Sequence, residues 1–222
     1  PDTATITVVP VNNGCPGTTG SFMLIVNPTP DVFATNPPQT LCNGAMTDSI
    51  SFAGDVAGTV FTWTNTNTSI GLGATDTGNI ASFVGVDTSS EPVTSVITVA
   101  TSAAGCTGSS NSFTITINPT PLLSSSLTPP MICDSNLFSY VPVSLTSSAT
   151  FNWSRDSVAG IANAANSGSD DPGEYLDNTV NYPVNVSYVY ALQAYGCTDT
   201  QTVTVMVNPT PVLTSTLTPP AV

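Results

Sequence analysis

The sequence predicts an all-β protein made of tandem β-sandwich repeats of about 90 residues, and three observations support this fold class. First, a Gly-Cys pair, an alternating segment and the motif Asn-Pro-Thr-Pro occur in that order three times. Second, the cysteines of these pairs, Cys15, Cys106 and Cys197, recur at intervals of 91 residues. Third, polar and apolar residues alternate with a period of two, which indicates strands rather than helices. A fixed period of this length is typical of a repeat array.

Two adjacent alternating segments close each repeat. In Ser112–Ile117 the apolar side chains fall on one face and the hydroxyl side chains on the other, and Ser95–Val99 alternates in the same way. Because only a short turn separates the two segments, they predict an antiparallel hairpin. The first copy differs, since Met23 and Ile25 make its second face apolar too. We therefore expect that face to be covered.

An aromatic pair lies on a central strand of each complete repeat. Phe61 and Trp63 in one repeat, and Phe151 and Trp153 in the next, stand two residues apart about twenty residues after a cysteine. A tryptophan on a central strand of a sandwich is a feature of immunoglobulin-like folds. We therefore expect these four aromatic side chains to belong to the cores.

The linkers between repeats are rich in proline. Asn-Pro-Thr-Pro followed by a second Pro-Pro pair cannot continue a central strand and favours an extended, semi-rigid connection. The repeat positions predict four segments: 1–30 as the C-terminal hairpin of an upstream repeat, 31–121 and 122–211 as complete repeats, and 212–222 as the start of the next. The sequence therefore reads as a window from a longer array.

The spacing of the five cysteines predicts one disulfide in each complete repeat. Cys42 and Cys106 are 64 residues apart, and so are Cys133 and Cys197. These two pairs are the expected bridges, and Cys15 is expected to pair with a cysteine upstream of residue 1. Bridges of this kind indicate an oxidising, extracellular location. With no histidine and no close cysteine pair, metal binding by sulfur is not expected.

The charge balance excludes several classes of function. One basic residue, Arg155, stands against 14 acidic residues, which gives a net charge of −13. The chain therefore lacks the basic surface that binding to nucleic acids or to anionic membranes requires. No apolar run is long enough to cross a bilayer. Without histidine or lysine, the usual catalytic triad, Schiff base and phosphate-binding lysine are absent, so we expect neither enzymatic activity nor a cofactor.

These features together resemble a known family, the PKD-like immunoglobulin-type repeats of very long secreted surface proteins of Bacteroidota. The resemblance rests on an opening cysteine (Cys42, Cys133), the Phe-x-Trp pair, the closing Gly-Cys pair and the strand that leads into Asn-Pro-Thr-Pro. It implies tandem β-sandwiches in a protein exported by type IX secretion, as an adhesin or a cell-surface fibre. The Trp-Asp-Phe-Gly-Asp-Gly motif of better known PKD domains is absent, so the resemblance supplies no ligand-binding residues.

Two kinds of modification or ligand site are weighed from short motifs. A group of acidic residues could supply oxygen ligands to calcium, although a solvated acidic loop explains it as well: Asp170, Asp171, Glu174 and Asp177. Three hydroxyl residues follow an aspartate and precede an apolar residue, as O-glycan acceptors do in Bacteroidota, which would make the chain a glycoprotein: Thr3, Ser49 and Ser157.

Two functions remain from this reasoning. The leading one is a structural segment of an extracellular fibre or giant adhesin at the cell surface, whose partners are neighbouring repeats and laterally associated copies. The alternative is a glycan-binding or spacer module of a secreted polysaccharide-degrading enzyme. Clustered tyrosines would supply the stacking surfaces for that alternative: Tyr175, Tyr182, Tyr188, Tyr190 and Tyr195.

Overall fold

A computed structural model describes residues 1–215 of the chain. The chain divides into two compact units. Unit 1 comprises residues 1–86 and 93–117, and unit 2 comprises residues 87–92 and those from 118 onward. The described part contains strands, loops and a single turn of 3₁₀ helix, and it contains no α-helix, in agreement with the predicted all-β class.

The strands of unit 1 are short at the N-terminal side of the repeat and long in its closing hairpin. They are β1 (Asp2–Val8), β2 (Val11–Asn12), β3 (Cys15–Pro16), β4 (Gly20–Val26), β5 (Phe33–Ala34), β6 (Gln39–Cys42), β7 (Phe52–Ala53), β8 (Val60–Asn65), β9 (Thr75–Thr77), β10 (Val93–Ala103) and β11 (Cys106–Asn118). The 3₁₀ turn spans Thr68–Ile70 and follows β8.

Unit 2 repeats this pattern. Its strands are β12 (Ile132–Cys133), β13 (Asn136–Phe138), β14 (Thr150–Arg155), β15 (Asn166–Ser169), β16 (Glu174–Leu176), β17 (Val184–Ala194) and β18 (Cys197–Asn208). The main sheet of unit 1 has the order β6-β11-β10-β8-β9, and that of unit 2 has the matching order β12-β18-β17-β14-β15. The main sheets of the two units therefore share one topology.

The closing hairpins carry the cores. In unit 1, β10 and β11 pair antiparallel, and the alternate side chains Ile97, Val99, Ile115 and Ile117 are fully buried. In unit 2, β17 and β18 pair in the same way over eleven registered positions and bury every second residue. Period-two alternation puts these side chains on one face, and burial of that face is the main stabilising term of each sandwich.

The Gly-Cys pair is explained by the geometry of the hairpin turns. Gly105 and the residue before it, Ala104, both have positive φ angles, of 78° and 47°. Gly196 and Tyr195 repeat this, at 80° and 51°. Two consecutive left-handed residues are the signature of the two-residue hairpin turn that matches strand twist, and its second position strongly favours glycine.

The aromatic pairs lie on β8 and β14. Trp63 and Trp153 are 4% and 5% exposed, in the cores of their units, while Phe61 and Phe151 are partly buried against those cores. Trp63 pairs with Val99 on the neighbouring strand, and Trp153 with the buried Tyr190. The tryptophans thus occupy the same position in both sandwiches.

The hairpin of β1 and β4 differs from the other two because both of its faces are exposed. The strands are in full antiparallel register from Asp2 opposite Val26 to Val8 opposite Gly20. Phe22 and Leu24, which correspond to core residues of β11, are 58% and 50% exposed. Met23 on the opposite face is 64% exposed, so the cover expected for that face is not provided by residues 1–215.

The predicted disulfide pairs need correction. Cys106 and Cys133 are free thiols in the structure, so neither Cys42–Cys106 nor Cys133–Cys197 forms. Cys15 is free as well within the described chain. Equal spacing identified equivalent cysteines correctly, but it carried no information about the end of the sandwich at which each one lies.

Candidate functional site at the linker and the hairpin turn

The Asn-Pro-Thr-Pro linker contacts the turn of the hairpin that follows it in sequence. Asn27 donates its side-chain N–H to the carbonyl oxygen of Ala104 at 3.1 Å. Ninety-one residues later, Asn118 donates in the same way to the carbonyl oxygen of Tyr195, at 2.7 Å. Ala104 and Tyr195 are the residues immediately before the Gly of each Gly-Cys pair. The two motifs that define the sequence repeat are therefore partners in one contact, which occurs twice.

The last proline of the linker is buried against the same hairpin. The carbonyl oxygen of Pro30 accepts hydrogen bonds from the backbone N–H of Ser109, at 3.1 Å, and from the hydroxyl of Thr101, at 3.3 Å. Gly108 lies directly beneath it, and a Cβ atom added there would be 2.0 Å from the Pro30 carbonyl oxygen. Glycine at this position is required by the close approach of the two backbones.

We expect the substitution Gly108→Ala to displace this linker. The added methyl group meets backbone rather than a flexible side chain, so the strain should cost about 1–3 kcal/mol of unit 1 stability. Urea unfolding of the whole chain measures this loss. Gly20→Ala is the matched control, because a Cβ there meets nothing within 4 Å. Equal stability of the two variants would contradict the close contact.

Unit 2 holds its linker with a different set of groups. The residue equivalent to Gly108 is Asp199, and the backbone N–H of Leu123 instead donates to the side-chain oxygen of Gln201 at 2.5 Å. Pro121, like Pro30, is buried. Both units thus hold the linker at the same place, although they use different hydrogen bonds to do so.

The loop 87–92 adds a further contact to unit 2. The Tyr195 hydroxyl donates to the Glu91 carboxylate at 2.5 Å, and the backbone N–H of Ser147 donates to the carbonyl oxygen of Ser90 at 3.1 Å. Hydrogen bonds from the Ser147 and Tyr195 side chains hold the pKa of Glu91 below its usual range. Tyr195 therefore contributes both its carbonyl group and its hydroxyl group to holding neighbouring segments.

The single basic residue of the chain is used inside unit 2. Arg155 at the end of β14 is 2% exposed and binds both carboxylate oxygens of Glu174 at 2.9 Å. It also donates to the carbonyl oxygens of Asp156 and Ala164, and the Tyr188 hydroxyl donates to Glu174 at 2.7 Å. A buried charge needs this degree of pairing. Arg155 is therefore unavailable as a surface group.

Unit 1 has a neutral side chain at the same position. Asn65 is two residues after Trp63, as Arg155 is after Trp153, and it is also buried. Its amide N–H groups donate to the carbonyl oxygens of Leu72 and Gly73 at 2.8 and 3.1 Å. The end of this strand thus requires a polar side chain that satisfies backbone carbonyls, and the two units meet the requirement differently.

The four acidic residues considered for calcium are engaged mostly with their own chain. The Asp171 carboxylate accepts from the backbone N–H of Tyr140 at 2.8 Å and from the Ser139 hydroxyl at 2.6 Å. Glu174 is paired with Arg155, and Asp177 accepts from Ser135. Within residues 1–215 no group of three acidic, cysteine or histidine side chains could hold a metal ion. The structure therefore does not bring Asp170 and the other three together as a ligand set.

The remaining predicted sites are distributed over the surface and the core. The three candidate O-glycan acceptors, Thr3, Ser49 and Ser157, are all exposed. Tyr188 and Tyr190 are fully buried, Tyr195 belongs to the turn contact, and only Tyr175 and Tyr182 are well exposed, at 63% and 58%. In the part of the chain that the structure describes, no helix is long and apolar enough to span a membrane.

Comparisons with known proteins give a family match and several structural similarities. Residues 39–121 match the family model described as a PKD-like domain. Among solved structures, mouse cadherin-23 EC22-24 is 12% identical with a TM-score of 0.40 and covers 84% of this chain and 68% of its own. Human protocadherin-24 EC1-2 is 13% identical with a TM-score of 0.47, and the match covers 85% of this chain and 100% of that one. Protocadherin gamma B2 domains 1-5 are 13% identical with a TM-score of 0.39, and the match spans 95% of this chain and 46% of that one. No curated protein sequence matches the chain.

The fold and the matching domain define a class. The chain is an all-β protein of immunoglobulin-like sandwiches, and its residues 39–121 match the PKD-like domain, a class typical of extracellular structural or adhesion-type modules. Domains of this class are typically non-catalytic, and no catalytic family is indicated.

Proposed function

We propose that this chain is a structural segment of a long extracellular fibre or giant adhesin, in which each repeat sets distance and transmits tension. The observation that carries the proposal is the repeated contact between linker and turn, from Asn27 to Ala104 and from Asn118 to Tyr195. A flexible tether needs no such contact. A linker that must not stretch under load does need it, because slack in each linker would add up along an array.

The burial of the linker prolines supports the same function. Pro30 and Pro121 are both buried, and Asn118 and Pro119 are buried too. Proline has already lost φ freedom in the unfolded chain, so ordering it costs little entropy. The linker is thus both stiff in itself and held by its neighbours, as expected of a connection that transmits tension.

Stretching the whole chain between two handles tests this proposal. We expect the wild-type chain to show no soft extension before a sandwich unfolds, because the linkers are held against the hairpins. The double variant Asn27→Ala and Asn118→Ala removes two hydrogen bonds worth about 1 kcal/mol each and should introduce such an extension at low force. The matched control is Asn152→Ala on the exposed side of β14. Free linker extension already in the wild type would sink the proposal.

The hairpin of β1 and β4 fits this function as the end of a further repeat. Its register and inner residues correspond to those of β10 and β11, whose inner residues share one core with Trp63 and Ile50. We propose that 1–30 is the closing hairpin of a repeat whose other strands lie outside residues 1–222, and that 31–121 and 122–211 are complete repeats. The segment 212–222, proposed as the start of another repeat, lies mostly outside the described residues. The outer face around Met23 and Ile25 is then available for laterally associated copies.

Glycan binding is the second candidate, and only two side chains favour it. Tyr175 lies on β16 and Tyr182 in the loop before β17, and both expose more than half of their surface. Sugar binding would require them to act as stacking platforms. Affinity electrophoresis of the chain in soluble polysaccharides, with Tyr175→Ala and Tyr182→Ala as variants, separates the two functions. Retardation that both variants abolish would favour a glycan-binding module.

A further inference from the structure

Three Asn-x-Ser motifs occur in the chain, and they lie in different local structures. Asn67-Thr68-Ser69 follows β8 in a loop, whereas Asn152-Trp153-Ser154 lies within β14 and Asn185-Val186-Ser187 lies within β17. This tripeptide is the acceptor for N-linked glycans, and such acceptors belong to surface loops of secreted proteins. The local structure of each motif therefore decides which asparagine an oligosaccharide can reach.

The first motif folds back on itself in a tight turn. The side-chain carbonyl oxygen of Asn67 accepts from the backbone N–H of Ser69 at 3.1 Å and from the Ser69 hydroxyl at 2.7 Å. Because a backbone N–H can only donate, these bonds fix the Asn67 amide with its oxygen toward the turn and its nitrogen on the other side. The asparagine amide and the hydroxyl of the motif are thus already adjacent in the folded chain.

The fold does not use the side-chain nitrogen of Asn67. Among the described residues this nitrogen donates no hydrogen bond, whereas the buried Asn65 nearby uses its own for two backbone carbonyl oxygens. Thr68 and Ser69 are exposed and Asn67 is partly exposed, while Ile70 behind them is fully buried. The turn is therefore anchored from inside by Ile70, and it presents the acceptor nitrogen without unfolding.

The other two motifs are held inside their sheet. β14 lies between β15 and β17, and β17 lies between β14 and β18, so both strands have hydrogen-bonded neighbours on each edge. Residues two apart on a strand stand roughly 6.6 Å apart at about 3.3 Å per residue, and within the described chain no hydrogen bond joins Asn152 to Ser154. The Ser187 hydroxyl is bonded to the Thr204 hydroxyl across the sheet, at 3.0 Å. Neither strand can form the turn without breaking its sheet.

We propose that Asn67 is an N-glycosylation site whose donor is an oligosaccharide carried on a polyprenyl diphosphate. The side-chain nitrogen attacks the anomeric carbon of that oligosaccharide. A C–N bond forms as the C–O bond to the diphosphate breaks, the nitrogen gives one proton to a base of the transferring enzyme, and polyprenyl diphosphate leaves with the bonding electrons. The site belongs to unit 1 alone, since unit 2 has Ser157 at the equivalent position. It does not depend on the proposed shaft function.

Oligosaccharide transfer to the folded whole chain tests the site. The probes are a purified oligosaccharyltransferase that accepts Asn-x-Ser and a polyprenyl-diphosphate-linked oligosaccharide. Cleavage before aspartate afterwards separates the three motifs into the fragments 55–75, 134–155 and 177–198. We expect 55–75 to gain the mass of one oligosaccharide and the other two fragments to stay unmodified. Equal modification of 134–155 or 177–198, or a folded chain without any modification, would overturn the proposal.

Free peptides separate the effect of the fold from that of the motif. The fragments 55–75 and 177–198, released from the unmodified chain and offered to the same enzyme, should both be modified, because neither is then held in a sheet. This result also shows that the enzyme is active on both motifs. A free 177–198 that stays unmodified would contradict the role given to the sheet.

Variants of the whole chain test the two side chains of the turn. Asn67→Gln and Ser69→Ala should each abolish the modification, whereas Ser69→Thr keeps a hydroxyl and should retain it. Ser69→Ala also keeps the backbone hydrogen bond to the Asn67 side chain, so it preserves the turn even if Asn67→Gln disturbs it. The matched control Asn152→Gln should be modified like the wild type. A Ser69→Ala chain modified as fully as the wild type would refute the site.

Discussion

Replacing Trp153 by alanine should destabilise unit 2 by about 3–5 kcal/mol, which is one of the two largest effects that we expect in this chain. The indole is 5% exposed and packs edge-on against Tyr188, with ring centroids 5.5 Å apart. Gly168 on the neighbouring strand lies against the ring, since a Cβ there would be 3.0 Å from it. The backbone cannot collapse easily into the space left by the ring, so a cavity should remain.

Two readouts separate this loss from an effect on the other unit. The chain has two tryptophans, so in Trp153→Ala the fluorescence of Trp63 follows unit 1 alone, while circular dichroism follows both units during urea unfolding. The matched control Tyr175→Ala removes an exposed aromatic and should cost less than about 0.5 kcal/mol. A Trp153→Ala chain as stable as this control would show that the core does not depend on the indole.

Trp153→Phe should cost less than its lost volume suggests. The indole N–H of Trp153, like that of Trp63, is buried without a hydrogen-bond partner among the described residues. An unsatisfied buried donor costs about 1–3 kcal/mol, and phenylalanine removes it. Both variants lack the indole N–H. The difference between their free energies of unfolding therefore measures the packing of the ring alone.

Removing the Arg155 guanidinium should destabilise unit 2 by about 3–5 kcal/mol, because Arg155→Met leaves the Glu174 carboxylate buried without its cation. The double variant Arg155→Met with Glu174→Leu removes both charges and should be more stable than Arg155→Met alone. The background Trp63→Phe makes Trp153 fluorescence a probe of unit 2 only. A double variant that loses as much stability as Arg155→Met and Glu174→Leu lose together would contradict a coupled ion pair.

The same pair predicts a pH dependence. Burial acts to raise the pKa of Glu174, yet the hydrogen bonds from Arg155, Tyr188 and Asn166 bring it below its usual value. A carboxyl group with a lowered folded-state pKa contributes stability that is complete above its unfolded-state pKa and is lost as the pH falls through the folded-state value. We therefore expect unit 2 to lose stability in acid, and Glu174→Gln to lose less over the same range. Identical acid profiles would contradict this assignment.

The sequence determined the period, the strands and the turns of this protein. Alternation from Ser112 to Ile117 is enough to place a strand and its inner face, since side chains on a strand must alternate. The Gly-Cys pair marks the hairpin turn because a left-handed second position favours glycine. The tryptophans followed from the same reasoning, because a large apolar ring on an alternating central strand is buried.

The linker contact was visible in the sequence only as two motifs with the same period. Nothing in Asn118 or Tyr195 by itself indicates that one donates a hydrogen bond to the other across 77 residues. Their common spacing from Asn27 and Ala104 was the available signal. The contact itself is visible only in the folded structure, where the turn of the hairpin lies beside the preceding linker.

Local patterns therefore decided the strands, and the tertiary structure decided which distant groups meet. The cysteine spacing is identical in both repeats, yet the parallel pairing of β12 with β18 puts Cys133 at the far end of the strand that Cys197 begins. Similarly, no pattern linked Arg155 to Glu174, since a polar residue after Phe-x-Trp meets its partner only when β14 and β16 fold into one sandwich. Strand alternation is a property of neighbouring residues, but strand direction and register depend on the whole fold, and they determine which side chains can react or pair.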